Sequence, residues 1–416
     1  MMNTWLTVPE NSDFSIHNIP FGIASVEEGK TFVASILGDH VIDCKALFLL
    51  GYLHGQGLNE NLLSGPYLNP FISLGKIETS AIRKQIISIF TDKDHPLATH
   101  ATHRSQVLRH VQEVSLHMPV QVPNYSDFYS SIDHATNVGK MFRDPANALL
   151  PNWKHMPVAY HGRASSITVS GTPFHRPKGQ IKPPDAELPQ FSATRLLDFE
   201  LEVAFITGRA TQMGAQVSTE QAEDYIFGLV LFNDWSARDI QTWEYVPLGP
   251  FLAKNFNSTI SPWVVTLDAL EPFRTAGPIQ DPPVLPYLAF SGNHHFDIQL
   301  EVYIQPSQGE TNLICKSNYK FLYWNLVQQL AHHTVNGCNI CVGDMYASGT
   351  ISGASPDSFG SMLELTWRGA NPIKLKDGTE RKFIQDGDTV ILRGFGTKDN
   401  IRVGFGEASS CVLPAL

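Results

Sequence analysis

A chain of 416 residues, at about 150 residues per domain, reads as two domains of unequal size, because β-rich domains often exceed about 200 residues. A composition of 43% hydrophobic, 10% aromatic and 17% charged residues excludes a disordered chain, a collagen, a coiled coil and a disulfide scaffold. The net charge of −10 excludes a broad nucleic-acid or acidic-membrane surface, so local cations must meet any anionic ligand.

The opening stretch MMNTWLTVPENSDFSIHNIPFGIASVEEGK carries acids early and has neither a basic start nor an apolar core. No run approaches the ~18 apolar residues of a membrane span. A cytoplasmic protein without membrane contact is expected. PFGIAS and TFVASILGDHVIDC then read as strands, and helical periods cover 80–90 and 104–116. The second has an apolar face of Val107, Leu108, Val111, Val114 and Leu116. The prolines of MPVQVPNYSD break it, placing a boundary near Pro119 between a 1–118 domain and a 119–416 domain. Beyond it, Gly and Pro recur among strand-like runs, which predicts a large, mainly β domain.

In residues 197–205 the period of two puts Phe199, Leu201, Val203 and Phe205 on one face and Asp198, Glu200 and Glu202 on the other. Such a row of acids is either a solvated outer face or a pair of hard-metal ligands on rigid backbone. Ser218-Thr219-Glu220-Gln221 resembles a capping box, predicting a helix over 219–227 that feeds a strand over 229–233 and leaves Asp234 at its end. A helix starting at Asp234 aligns Arg238, Gln241 and Tyr245 on one face, suited to an oxygen-rich ligand; the alternative is an N-cap before a solvated stripe. Lys254, after a Gly-Pro turn in an apolar loop, needs an anionic partner. Residues 347–353 form a small-residue loop suited to close backbone approach, and 361–367 reads as a strand whose one acid, Glu364, is a candidate partner for a histidine such as His134.

The five cysteines, Cys44, Cys315, Cys338, Cys341 and Cys411, are sparse for the length and point to a reducing compartment. The Cys338-x-x-Cys341 pair lacks the second pair of a zinc site, and a packing role is expected.

Together, DFYSSIDHA, YHGRASS, DFELEVAF, LFNDWSARDIQ, PLGPFLAKNF, ASGTISG and GSMLEL, with VPENSDFSIHNIPFG near the start, resemble the fumarylacetoacetate hydrolase family along nearly the whole chain. The resemblance implies a small N-terminal SH3-like barrel, then a large mixed β-roll catalytic domain, mainly β in an α+β arrangement, assembled as a homodimer. It also implies metal-dependent hydrolysis of a carbon–carbon bond in a diketo dicarboxylate. Asp127, Glu200, Glu202 and Asp234 become metal carboxylates for Ca²⁺ or Mg²⁺, and His134, oriented by Glu364, activates water. Tyr129, Arg143, Tyr160, Gln241, Tyr245 and Thr350 contact substrate, and Arg238 and Lys254 stabilise negative charge. The animal members carry Lys-Ser-Phe-Gly-Thr where this chain reads Lys254-Asn255-Phe256-Asn257-Ser258. A second magnesium position beside Lys254 then takes its hydroxyl from Ser258. Two other readings stand beside this one: another metal-enolate enzyme on the same scaffold (an acylpyruvate hydrolase, oxaloacetate decarboxylase or hydratase), and a silent calcium-binding protein, against which His134 and Glu364 argue.

Overall fold

The structure is a computed structural model and describes residues 3–416. The expected early strands are present as Gly22–Ser25, Thr31–Leu37 and His40–Asp43, and they pair antiparallel in a five-stranded sheet closed off by Leu108–His110 and Ser115–His117. The 80–90 period lies within a helix over Lys76–Thr91, whose Ile82, Ile86, Ile89 and Phe90 are buried. The 104–116 helix is not formed. Ala101–Val107 is helical, but Leu108 turns extended and pairs with Ile42 on the neighbouring strand. Sheet pairing therefore overrides the helical period, and Val111, Val114 and Leu116 pack on Phe32, Ile36 and Trp263 instead.

The remainder is built on two sheets. The first has eight strands, in the order Ala159–His161, Tyr125–Phe128, Met345–Ala347, Leu201–Thr207, Ile226–Asp234, Ser258–Ile260 and Ile167–Val169, with Val265–Thr266 also pairing on Ile226–Asp234. The second has five: Asn312–Asn318, Gln299–Gln305, Thr389–Lys398, Ile401–Leu413 and Phe174–His175. Between them lies a core that includes Leu201, Val203, Phe205, Leu229, Leu231, Leu300, Val302, Val390 and Leu392. On the other face of the first sheet, Ala204, Ile206, Val230 and Phe232 join Ile19, Phe21, Phe71, Ile82 and Ile86 of the N-terminal part in a second core.

This double burial explains the nine-residue strand Ile226–Asp234, buried at every position, and its near-continuous apolar run. It also corrects the helix expected over 219–227. Only Ala222–Asp224 forms a 3-10 turn, because Ile226 and Phe227 already belong to the strand. Gly228 is required there, since a Cβ would lie 2.5 Å from the Val265 carbonyl oxygen.

Further expectations are corrected. Residues 197–205 are not one strand: Leu197–Asp198 pairs with Ser236–Ala237, and a new strand runs from Leu201 to Thr207 after a break at Phe199 and Glu200. The solvated-face reading fails as well, because Asp198, Glu200 and Glu202 are all buried. Residues 361–367 are not a strand but contain a short helix, Met362–Leu365, capped by Ser361 Oγ accepting from the Glu364 amide. No cysteine is disulfide-bonded, and Cys338 is exposed rather than packed. Among the described residues no helix is long and apolar enough to cross a membrane.

Candidate active site

Neighbouring strands of the eight-stranded sheet bring four acids to one end. Asp127 lies in Tyr125–Phe128 opposite Ala347, Glu202 near the start of Leu201–Thr207, and Asp234 at the end of Ile226–Asp234. Glu200 sits in the break before Leu201, where its backbone bridges to Ser361. All four are buried, and each offers an oxygen within 4.8 Å of the others.

Their partners divide them. Lys254 Nζ donates to Glu200 Oε2 and, at 2.6 Å, to Asp234 Oδ2, while Arg238 Nη1 lies 2.8 Å from Glu200 Oε1. Tyr160 donates its hydroxyl to Asp234 Oδ2 at 2.9 Å, and Ser258 Oγ donates to Asp234 Oδ1 at 3.3 Å. Glu202 Oε2 accepts the Gly349 amide at 3.0 Å. Asp127 Oδ1 and Glu202 Oε1 are buried with no hydrogen-bond partner. Burial, and then the charge of Asp234, pushes the Asp127 carboxyl well up; burial and the charge of Asp127 do the same to Glu202. Burial works the same way on Glu200, but Lys254 and Arg238 overcome it and hold the carboxyl at about 2. Partnerless carboxylate oxygens in an all-oxygen cluster fit a hard divalent cation.

His134 is the third residue of the helix Ile132–Phe142, which starts where Ser131 accepts the His134 amide. Its Nδ1 lies 2.6 Å from Glu364 Oε2, and both side chains are buried. Glu364 also accepts from Ser352 Oγ and Ser361 Oγ, each at 2.9 Å, and from Asn137 Nδ2 at 3.0 Å. Burial raises the Glu364 carboxyl, yet His134 and these hydrogen bonds prevail and hold it below its ordinary value. An anionic Glu364 fixes the Nδ1–H tautomer and leaves Nε2 as the acceptor.

A cavity of about 380 Å³ opens over this floor. Asp127, Tyr129, His134, Arg143, Tyr160, Glu200, Arg238, Gln241, Tyr245, Lys254 and Thr350 line it together with Val138, Phe142, Val158 and Leu363. Glu202, Asp234, Ser258 and Glu364 are not among its lining residues and back those that are. Arg238 Nη2 and Thr350 Oγ1 are buried donors without partners. Tyr245, 52% exposed, stands at the mouth. Arg143 donates from Nη2 to the Ala148 carbonyl at 2.7 Å.

The helix expected to start at Asp234 starts instead at Arg238 and runs to Glu244, because Asp234 ends one strand and Ser236–Ala237 forms another. Arg238 and Gln241 still meet, with Nη1 3.3 Å from Gln241 Oε1. Sequence reasoning did not select Asn137, Ser352 or Ser361. Asn137 carried a usable signal: it falls three residues after His134 on one helix, so both reach the same partner.

The family models described as "Fumarylacetoacetate (FAA) hydrolase C-terminal" and "Fumarylacetoacetase N-terminal" match residues 124–411 and 17–119. The chain belongs to the fumarylacetoacetate hydrolase family. A fumarylacetoacetase of Homo sapiens is 46% identical over 99% of this chain and 99% of its own length, and that of Dictyostelium discoideum is 48% identical over 100% and 99%. Among solved structures, a fumarylacetoacetate hydrolase from psychrophilic Exiguobacterium antarcticum shares the fold, with a TM-score of 0.53 and 19% identity over 95% of this chain and 99% of its own. This member of the family is an enzyme acting on a small molecule, with a separate N-terminal domain and a buried acidic cluster consistent with the family's metal dependence.

Proposed function

We propose that the chain hydrolyses the carbon–carbon bond of 4-fumarylacetoacetate to fumarate and acetoacetate, the last step of tyrosine and phenylalanine catabolism. The observation that carries this reading is the buried His134–Glu364 pair at 2.6 Å, whose His134 lines the same cavity as Asp127 and Glu200 of the acidic cluster. A passive cation site needs no such pair.

Asp127, Glu200, Glu202 and Asp234 would hold a divalent ion, with Ser258 and Lys254 beside them, and the hard oxygen set favours Ca²⁺ or Mg²⁺. When bound, that ion supplies Lewis-acid polarisation of the diketone oxygens. His134 Nε2 takes a proton from water, whose oxygen bonds to one carbonyl carbon, and Glu364 stabilises the imidazolium. The carbon–carbon bond then breaks with its electron pair on the acetoacetate side, and the enolate carbon takes the proton held by the His134 imidazolium, which restores the base. Arg238 and Lys254 face the negative charge, with Gln241 held against Arg238. Tyr129, Arg143, Tyr160, Tyr245 and Thr350 position a dianionic substrate, and the net −10 of the chain is offset locally by Arg143, Arg238 and Lys254.

The division into 1–118 and 119–416 is supported by the family matches, which part between 119 and 124. Homodimer assembly is supported by Val246, Leu248 and Phe251, which are 67, 97 and 60% exposed on one apolar loop. Five cysteines free of disulfides support a cytoplasmic location. The test is incubation of purified protein with fumarylacetoacetate and Ca²⁺ or Mg²⁺. Loss of the diketone absorbance is expected, and its persistence in both metals overturns the assignment.

A further inference from the structure

Asp198 is buried at 0% exposure, yet it lies outside the acidic cluster and has no part in the chemistry described above. Both of its oxygens are nonetheless engaged. Oδ1 accepts the Met362 amide at 2.6 Å, and Oδ2 accepts the Leu363 amide at 3.0 Å and Arg238 Nε at 2.9 Å. Its reach follows from the topology, since Asp198 pairs across the ladder with Ser236, two residues before Arg238.

These three bonds join two parts of the site that are remote in sequence. Met362 and Leu363 open the short helix that carries Glu364, the partner of His134. Their amides begin a helix and have no acceptor within it, so Asp198 completes from a distant strand the capping that Ser361 provides only for the Glu364 amide. On the other side, Asp198 at Nε and Glu200 at Nη1 fix the guanidinium plane of Arg238. Nη2 is left as the donor without a protein partner on a cavity-lining residue. A charged, bidentate-capable guanidinium held by two carboxylates has little rotational freedom.

We infer that Asp198 is a positioning residue that holds Arg238 and the Glu364-bearing turn in fixed relation, so that the oxyanion-facing cation and the base of the proposed reaction are aligned by one carboxylate. The inference rests on the proposed hydrolysis for its kinetic consequence, but the positioning itself is measurable without turnover. Asparagine at this position keeps the shape and replaces one acceptor oxygen by an NH₂ that confronts either a backbone amide or Arg238 Nε.

The experiment pairs kinetics with hydrogen exchange on full-length Asp198→Asn protein. With the fold retained by circular dichroism, kcat and kcat/KM for fumarylacetoacetate are expected to fall together by about 10–100-fold, the size typical of losing an outer hydrogen-bond partner. Amide exchange in the peptide spanning 361–365 is expected to accelerate, while the Leu201–Thr207 strand stays protected. A folded variant with kcat within threefold of the parent, or with unchanged exchange at 361–365, overturns the inference. If the variant does not fold, exchange in the parent protein decides: slow Met362 and Leu363 amides support the inference, and fast ones overturn it. If the parent shows no hydrolysis, the functional reading fails, and the exchange result still decides the positioning.

Discussion

His134 Nδ1 and Glu364 Oε2 stand 2.6 Å apart, with Asn137, Ser352 and Ser361 all donating to the same carboxylate. Four donors on one buried carboxylate keep it anionic, and an anionic Glu364 keeps the histidine proton on Nδ1. Replacing Glu364 by Gln keeps the volume and removes the charge. We expect kcat to fall by about 10²–10⁴, the scale of general-base catalysis, with the circular dichroism spectrum unchanged. His134→Ala is expected to abolish turnover while calorimetry still shows metal binding. Steady-state activity within threefold of the parent in either variant removes the pair from the mechanism.

The carboxylate cluster predicts a metal-dependent stability. Asp127 and Glu202 each hold an oxygen that has no protein partner, so a bound cation relieves repulsion that folding otherwise imposes. At a free concentration about a hundred times Kd, such an ion stabilises the fold by about 2.7 kcal/mol. Scanning calorimetry is expected to show a Tm several degrees higher with Ca²⁺ or Mg²⁺ than with a chelator. Glu202→Gln or Asp234→Asn is expected to weaken binding at least tenfold by titration calorimetry. Unchanged affinity in both contradicts the ligand assignment.

Away from the site, Glu223 ties two segments together. Arg274 grips it bidentately at 2.8 and 2.7 Å, and His294 Nδ1 lies 2.7 Å from it. Burial raises its carboxyl, but His294 and Arg274 outweigh that and hold it at about 2 against an ordinary 4.5. A depressed carboxyl contributes stability that is fully present above the unfolded value and is lost as pH falls from there through the folded one. With solvent screening taken into account, about 1–2 kcal/mol is expected. Urea denaturation of Glu223→Gln is therefore expected to show a deficit of that size at pH 7 that shrinks as pH approaches 2. An equal deficit at both ends contradicts the ion-pair account.

Gly349 offers a steric test of the cavity wall. Its φ of 76° lies in the left-handed region, and a Cβ there would meet the Phe128 carbonyl oxygen at 2.2 Å. Gly349→Ala is expected to displace the loop, loosen the Gly349 amide from Glu202, and lower both Tm and metal affinity. Parent-like values of both, measured by calorimetry, contradict this role.

Much of the molecule was legible from residue order. The strands Gly22–Ser25 and Thr31–Leu37, the helix Lys76–Thr91 and the position of Asp234 at a strand end all follow from local period and turn chemistry. The elements misread were those where period and partner conflict. Val111, Val114 and Leu116 carry a helical spacing, but a neighbouring strand edge claims the chain first. Ser218 to Gln221 carries a capping pattern, but Ile226 onward is needed between two cores.

The residue types of the site, its family motifs and its shortage of cations were thus set by the sequence by itself. The family motifs already grouped Asp127, Glu200, Glu202 and Asp234, but only the tertiary structure decided the contacts that set Asp198 apart from them. Asp198, Glu200 and Glu202 are near-neighbours in one stretch and look equivalent there. Across the ladders, however, Asp198 faces Ser236 and reaches Arg238, whereas Glu202 lies with Asp127 and Asp234. Local periodicity specifies the side of a strand on which a side chain lies. Strand register, set by burying both faces of a central sheet, specifies what that side chain meets.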